Sequence, residues 1–171
     1  MKLGKFSKLL MFFSSYTLLF LALAIKNYTL SVIWLMLLIS IVGVVATSLI
    51  LKTKINPDSH RVEAVQVKNE QVLGYLATYI LPFLSFNLEK ANDQIALLII
   101  FISIGILYIK ADLLYINPIL MLLGYNIYEV TFEDGKTRIL ITKKTQYDIK
   151  GKIINFYELE DRVLIIEKII K

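Results

Sequence analysis

"YINPILMLLGYNIYEV", residues 115–130, is uncharged up to Glu129. It is either one more membrane span or the point where the chain leaves the membrane. Asn117-Pro118 reads as a helix start, because Asn caps the first free amides and Pro fits the first helical position. Gly124 has the character of the residue just past a helix C-terminus. The intervening "PILMLL" is a helix of about six residues, roughly 9 Å long, far short of a bilayer. The stretch is therefore an interfacial elbow between membrane and cytoplasm.

Upstream of it, four uncharged runs stand out in a chain of 171 residues that is 57% hydrophobic and 19% charged. They predict transmembrane helices over about 9–25, 28–51, 71–88 and 94–110. The first and last are short and would need snorkelling lysines or a locally thinned bilayer. The first also reads as a signal peptide, since Lys2, Lys5 and Lys8 precede an apolar stretch ending in Ala22-Leu23-Ala24. The next apolar run follows too closely for that, and an uncleaved span is expected. The domain reading is a four-helix membrane region at 1–110, the elbow at 111–124 and a cytoplasmic β-domain at 125–171.

Charge orients the bundle. Of nineteen Lys and Arg, all but Lys26 and Lys90 lie in the N-terminal tail, in the linker after the second run or beyond the fourth run. The positive-inside rule places these on the cytoplasmic side, with both termini. Tyr28 falls at the outer interface, and Tyr75 and Tyr108 near the inner one. The expected location is the bacterial inner membrane, multi-pass.

Beyond Gly124 the period changes. In "IYEVTF" Tyr128, Val130 and Phe132 alternate with polar residues, a strand pattern. "EDGK" marks a hairpin. A two-residue turn at Asp134-Gly135 sets Val130 opposite Ile139 and Tyr128 opposite Ile141. "IINFYELEDRVLIIEKII" reads as a second hairpin turning near Glu160-Asp161. The fold class is thus an α-helical membrane protein with a cytoplasmic domain of about four antiparallel strands. So small a domain rarely holds together unaided, and docking on the elbow, on copies of itself or on a partner is expected.

The spans contain no ionisable residue, which argues against a proton- or ion-driven transporter. Without cysteine there is no disulfide, thiolate catalysis or Cys-ligated zinc. His60, the single histidine, sits in "INPDSHRVE" and reads as a solvated loop residue with no accompanying catalytic motif. No cofactor, metal or catalytic residue is expected, and no enzyme. Ser40, Gly43 and Thr47 form a small-residue stripe on the second span, suited to packing inside one subunit or to a homo-oligomer seam. Pro82, Asn117 and Pro118 are candidate hinges. Lys143, Lys144, Lys150 and Lys152, with Tyr147, form a basic segment. It reads either as a solvated connection near anionic headgroups or as a docking patch for an acidic partner. The tail after Gly124 carries nine basic and eight acidic residues, so direct nucleic-acid binding is not expected.

Together, "SSYTLLFLALAIKN" (14–27), "GYLATYILPFLSF" (74–86) and residues 115–130 resemble the KwaA family, the membrane subunits of the Kiwa antiphage system. The resemblance implies an oligomeric inner-membrane sensor of phage infection holding a cytoplasmic, nucleic-acid-binding effector, KwaB. It implies no catalytic residues. The expected function is a sensor or adaptor that recruits or regulates a cytoplasmic effector through its tail. The alternative is an oligomeric pore that depolarises the cell, with Ser14, Ser15, Ser40, Thr47 and Thr78 as its polar stripe. An integral-membrane enzyme lacks polar groups for the chemistry.

Overall fold

In hydrocarbon, a backbone satisfies its polar groups only as a helix or a closed barrel. The apolar runs take the first solution. The computed structural model describes residues 4–26, 31–52, 57–77, 83, 86–160 and 163–170. In chain order the helices are α1 (Lys5–Ser15), α2 (Thr17–Lys26), α3 (Ser31–Ile50), α4 (Asn69–Tyr75), α5 (Ala91–Lys110), α6 (Pro118–Leu122) and α7 (Gln146–Ile149). The strands are β1 (Pro57–Val67), β2 (Asn126–Phe132), β3 (Thr137–Thr142), β4 (Ile153–Glu160) and β5 (Val163–Ile170). Two compact units result. One holds residues 5–48 and 72–119, the other residues 49–71 and 120–171.

In the helical unit, α3 and α5 are each long and apolar enough to cross a membrane. The run expected as one helix over 9–25 is instead a pair, α1 and α2, bent by 50° at Tyr16. The bend has a local cause. The hydroxyls of Ser14, Ser15 and Thr17 donate to the carbonyls of Met11, Phe12 and Ser14 at 2.8, 2.7 and 2.8 Å. The Tyr16 amide reaches only three residues back, to Phe13. Side chains that bond back to the preceding turn compete with the helical ladder and bend it. The bent pair runs antiparallel to α5. Phe12, Tyr16 and Phe20 pack on Phe101 with ring centroids 5.0, 4.9 and 5.6 Å away. Gly105 leaves room for Phe12, whose ring would lie 3.1 Å from an added Cβ. Residues 78–82, 84 and 85 of the expected third span, Pro82 included, fall outside the described residues; α4 covers its opening.

The second unit is a closed barrel of strand order β1-β2-β3-β5-β4, with β4 returning to β1. The four C-terminal strands expected from sequence are there. The fifth, β1, comes from residues 57–67, which the sequence presented as a loop. β3 and β5 run parallel, so the set is not purely antiparallel. With a helix between β3 and β4, this is a five-stranded Greek-key barrel of the OB type. Its core gathers Val62, Tyr128, Val130, Phe132, Leu140, Ile149, Ile154 and Phe156.

The first hairpin corrects the expected register by one residue. Tyr128 faces Leu140 and Val130 faces Arg138, while Ile139 pairs with Glu129. Gly135 takes a left-handed φ of 77°. Its amide donates to Phe132 O, and the Phe132 amide donates to Lys136 O. That is a three-residue loop with a bulge, which adds a residue to the two-residue turn and flips β3. Leu140 therefore joins the barrel's core cluster in place of Ile139, and Ile141, on the other face of β3, is fully buried as well.

Candidate functional site

The chain enters the barrel as β1, leaves it for α4–α6, and re-enters as β2. The feet of that excursion are tied together within the barrel unit. The Lys68 amide donates to Ile127 O at 2.9 Å. Asn69, the first residue of α4, accepts the Ile127 amide on Oδ1 at 2.8 Å and donates through Nδ2 to Asn126 Oδ1 at 3.1 Å. Lys68 also pairs with Glu129 at 3.5 Å. One side chain thus fixes where the chain departs to where it returns.

The elbow has the capping that its sequence implies. Asn117 Oδ1 accepts the Ile119 amide at 2.9 Å, with Pro118 at the first helical position. At the other end the Tyr125 amide donates to Leu120 O and the Gly124 amide to Met121 O, with Gly124 at φ 80°. This double closure is a Schellman end. Asn117 does more than cap. It is fully buried, and its Nδ2 donates to Ser14 Oγ at 2.6 Å. Ser14 Oγ also accepts from Thr47 Oγ1 at 3.1 Å. α1, α3 and the start of α6 therefore meet at one buried polar knot.

The stripe Ser40, Gly43 and Thr47 packs against α1 within the chain. An added Cβ on Gly43 would stand 2.5 Å from Leu10 O and 3.0 Å from Ser14 N. Ser14, Ser15, Ser40 and Thr47 are all fully buried and hydrogen-bonded, while the exposed face of α3 is Val32, Leu35, Leu38, Val42 and Val45. Thr78 lies outside the described residues. Near the knot, Lys8 pairs with Asp112, which follows α5 in a left-handed conformation with φ 50°. Asp tolerates that backbone better than most residues.

His60 lies on β1 and not in a loop. Its ring stacks on Phe156 at 5.9 Å and 26°, and Nε2 is 3.2 Å from Asp58 Oδ2. Asp134, Lys136, Arg138 and Glu158 line the same barrel mouth. The Lys136 side chain and amide both donate to Asp134, which holds that carboxyl below its ordinary value. Among the described residues no cluster of three or more His, Asp or Glu is placed to hold a metal.

At the opposite end of the barrel, Lys143, Lys144, Tyr147, Lys150 and Lys152 are exposed around α7. The Asp148 carboxylate closes that turn, accepting from the Thr145 amide at 3.0 Å and its hydroxyl at 2.8 Å. These bonds hold Asp148 below its ordinary value, and Lys152 and Lys144 add to the effect. Buried Ile149 pins the turn into the core.

The family model described as anti-phage protein KwaA matches residues 7–165, which take in the bent pair, the elbow and nearly all of the barrel. The chain belongs to the KwaA family. The Kiwa protein KwaA of Escherichia coli O55:H7 (strain RM12579 / EPEC) is 40% identical over 93 residues, covering 52% of this chain and 48% of that protein. The match thus spans about half the length of the curated relative. No solved structure matches. In this KwaA-family chain, the residues that sequence reasoning missed are β1 and Asn69. A signal for β1 existed. "RVEAVQV" (61–67) alternates polar and apolar residues except at Ala64-Val65, next to the register shift between Val62 and Ala64. A bulge there breaks the period of two.

Proposed function

We propose that this KwaA-family chain is a four-span sensor and adaptor of the bacterial cytoplasmic membrane in anti-phage defence. Its barrel passes the state of the helical bundle to a cytoplasmic effector. The observation carrying this is that the barrel closes across the membrane excursion. β1 and β2 pair directly, and Asn69 ties the two feet. A change in the spacing of those feet acts on barrel strands, not on a loose tail. Signalling of this kind needs two packings with different effector affinity.

Topology follows from parity. The chain leaves the barrel after Val67 and returns at Asn126, on the same side of the membrane. With α5 as one crossing, residues 68–90 contain another. Lys8 at the start of α1 pairs with Asp112 just beyond the end of α5. The bent pair then runs along α5 as a further crossing, and both termini are cytoplasmic. The basic residues outside the spans favour the same orientation.

Burial of Ser14, Ser15, Ser40 and Thr47 in hydrogen bonds within the chain supports the adaptor over the pore. Pull-down from native membranes tests it, using the full chain, Asn69→Ala, and a truncation after Gly124. A cytoplasmic protein retained by the full chain and lost on truncation is expected, with weaker retention by Asn69→Ala. If no cytoplasmic protein comes down with any of the three, the adaptor reading fails. Triggered ion flux through purified protein in liposomes would establish the pore instead.

A further inference from the structure

The α7 end of the barrel adjoins the two feet just described, and it is built. Tyr147 is 83% exposed on a turn that is capped by Asp148 and anchored by buried Ile149. An ordered aromatic held out to this degree, with four exposed lysines within five residues of it in sequence, has the make-up of an interfacial anchor, with a ring for the headgroup layer and cations for its anions. Its position supports the same partner. The Lys144 carbonyl accepts from Asn126 Nδ2 at 3.4 Å and from Tyr128 Oη at 3.2 Å. Asn126 in turn is bonded to Asn69. Lys143 Nζ lies 4.8 Å from the centre of the Tyr125 ring, the residue after the elbow turn. Lys143 and Lys144 are thus held to the two points where the chain departs from the barrel and returns to it. Leu122 and Leu123, three and two residues before Tyr125, are 68% and 39% exposed and supply the apolar part of an interfacial surface.

We propose that Lys143, Lys144, Lys150 and Lys152, with Tyr147 and Leu122, form a surface that binds anionic phospholipid headgroups of the cytoplasmic leaflet and seats the barrel on the bilayer. This rests on α5 crossing the membrane and not on any effector.

The test uses full-length protein in nanodiscs. The chain has no cysteine, so Tyr147→Cys carries a single fluorophore, and nitroxide-headgroup lipid serves as quencher. Quenching is expected in phosphatidylcholine mixed with phosphatidylglycerol and should fall sharply in phosphatidylcholine alone. A lysine at an anionic surface contributes roughly fivefold in partition, so changing all four to Gln should abolish the difference. High salt on the unmutated lysines should do the same reversibly, which guards against a misfolded variant. Quenching that is equal in both lipids, or absent from both, overturns the proposal. So does a four-Gln variant that loses a co-purifying acidic protein while its lipid quenching is unchanged. If α5 does not span, cysteines at Lys90 and Lys136 will react with an impermeant maleimide from the same side, which separates that failure from this one.

Discussion

Asn117 shows how one residue can be read correctly and incompletely. Its place before Pro118 signals a helix cap, and the cap is there. Nothing local signals that its Nδ2 binds Ser14, 103 positions earlier. Asn117→Ala removes these bonds and a third to Met11 O, and leaves the Ile119 amide without its acceptor, while Ser14 keeps Met11 O and Thr47. We expect a loss of about 2 kcal/mol, seen as a lower melting temperature in detergent. Asn117→Asp keeps the acceptor for the cap but not the donor, and should recover part of it. Gly43→Val tests the stripe, because a side chain there meets the Leu10 carbonyl and backbone cannot yield cheaply. The expected cost is on the order of 2 kcal/mol, with loss of cross-linking between cysteines placed on α1 and α3. Unchanged stability and cross-linking would mean that α3 does not pack on α1. Asp148 gives a pH dependence. Its folded pKa is lowered, so its contribution is complete above the ordinary value of 3.8 and is lost as pH falls through the folded value. Amide exchange over α7 should therefore accelerate below pH 3.8, and Asp148→Asn should exchange fast at every pH.

Among the elements, β1 carries the main correction. The alternation of β2 and the Asp-Gly turn made the C-terminal hairpins legible, because neighbours in sequence are neighbours in space. β1 pairs with β2 and β4, separated from them by dozens of residues and broken by a bulge, so periodicity alone hid it. The hairpin register slipped for a smaller reason: "EDGK" fits both a two-residue turn and a bulged three-residue one. A consequence follows for the tail in isolation. Residues 125–171 lack the strand that closes the barrel, leaving edges on β2 and β4. We expect that fragment to be unfolded or aggregated. Residues 57–68 joined by a short flexible linker to 125–171 should give a cooperative melt and dispersed amide resonances. If the fragment 125–171 alone folds cooperatively, β1 is dispensable. Truncation after Gly124 likewise strands β1, so its effects are those of losing the whole barrel.

For the whole molecule, composition and charge made a membrane protein legible, and apolar length marked α3 and α5. They could not reveal that the barrel is assembled from two segments on either side of α4–α6, because that is a property of its closure. Nor does an OB-type barrel fix a ligand, since folds host many functions. What the barrel does fix is that residues 57–67 and 126–170 share one compartment; the proposed topology puts the turn before α5 in the other. The decisive measurement is labelling of single cysteines in intact cells with a membrane-impermeant maleimide, possible because the chain has none of its own. Lys90→Cys should label from outside, whereas His60→Cys on β1 and Lys136→Cys in the β2–β3 turn should label only after permeabilisation. Lys90 and Lys136 reacting from the same side, or His60 and Lys136 from opposite sides, would contradict a barrel closed across the membrane excursion.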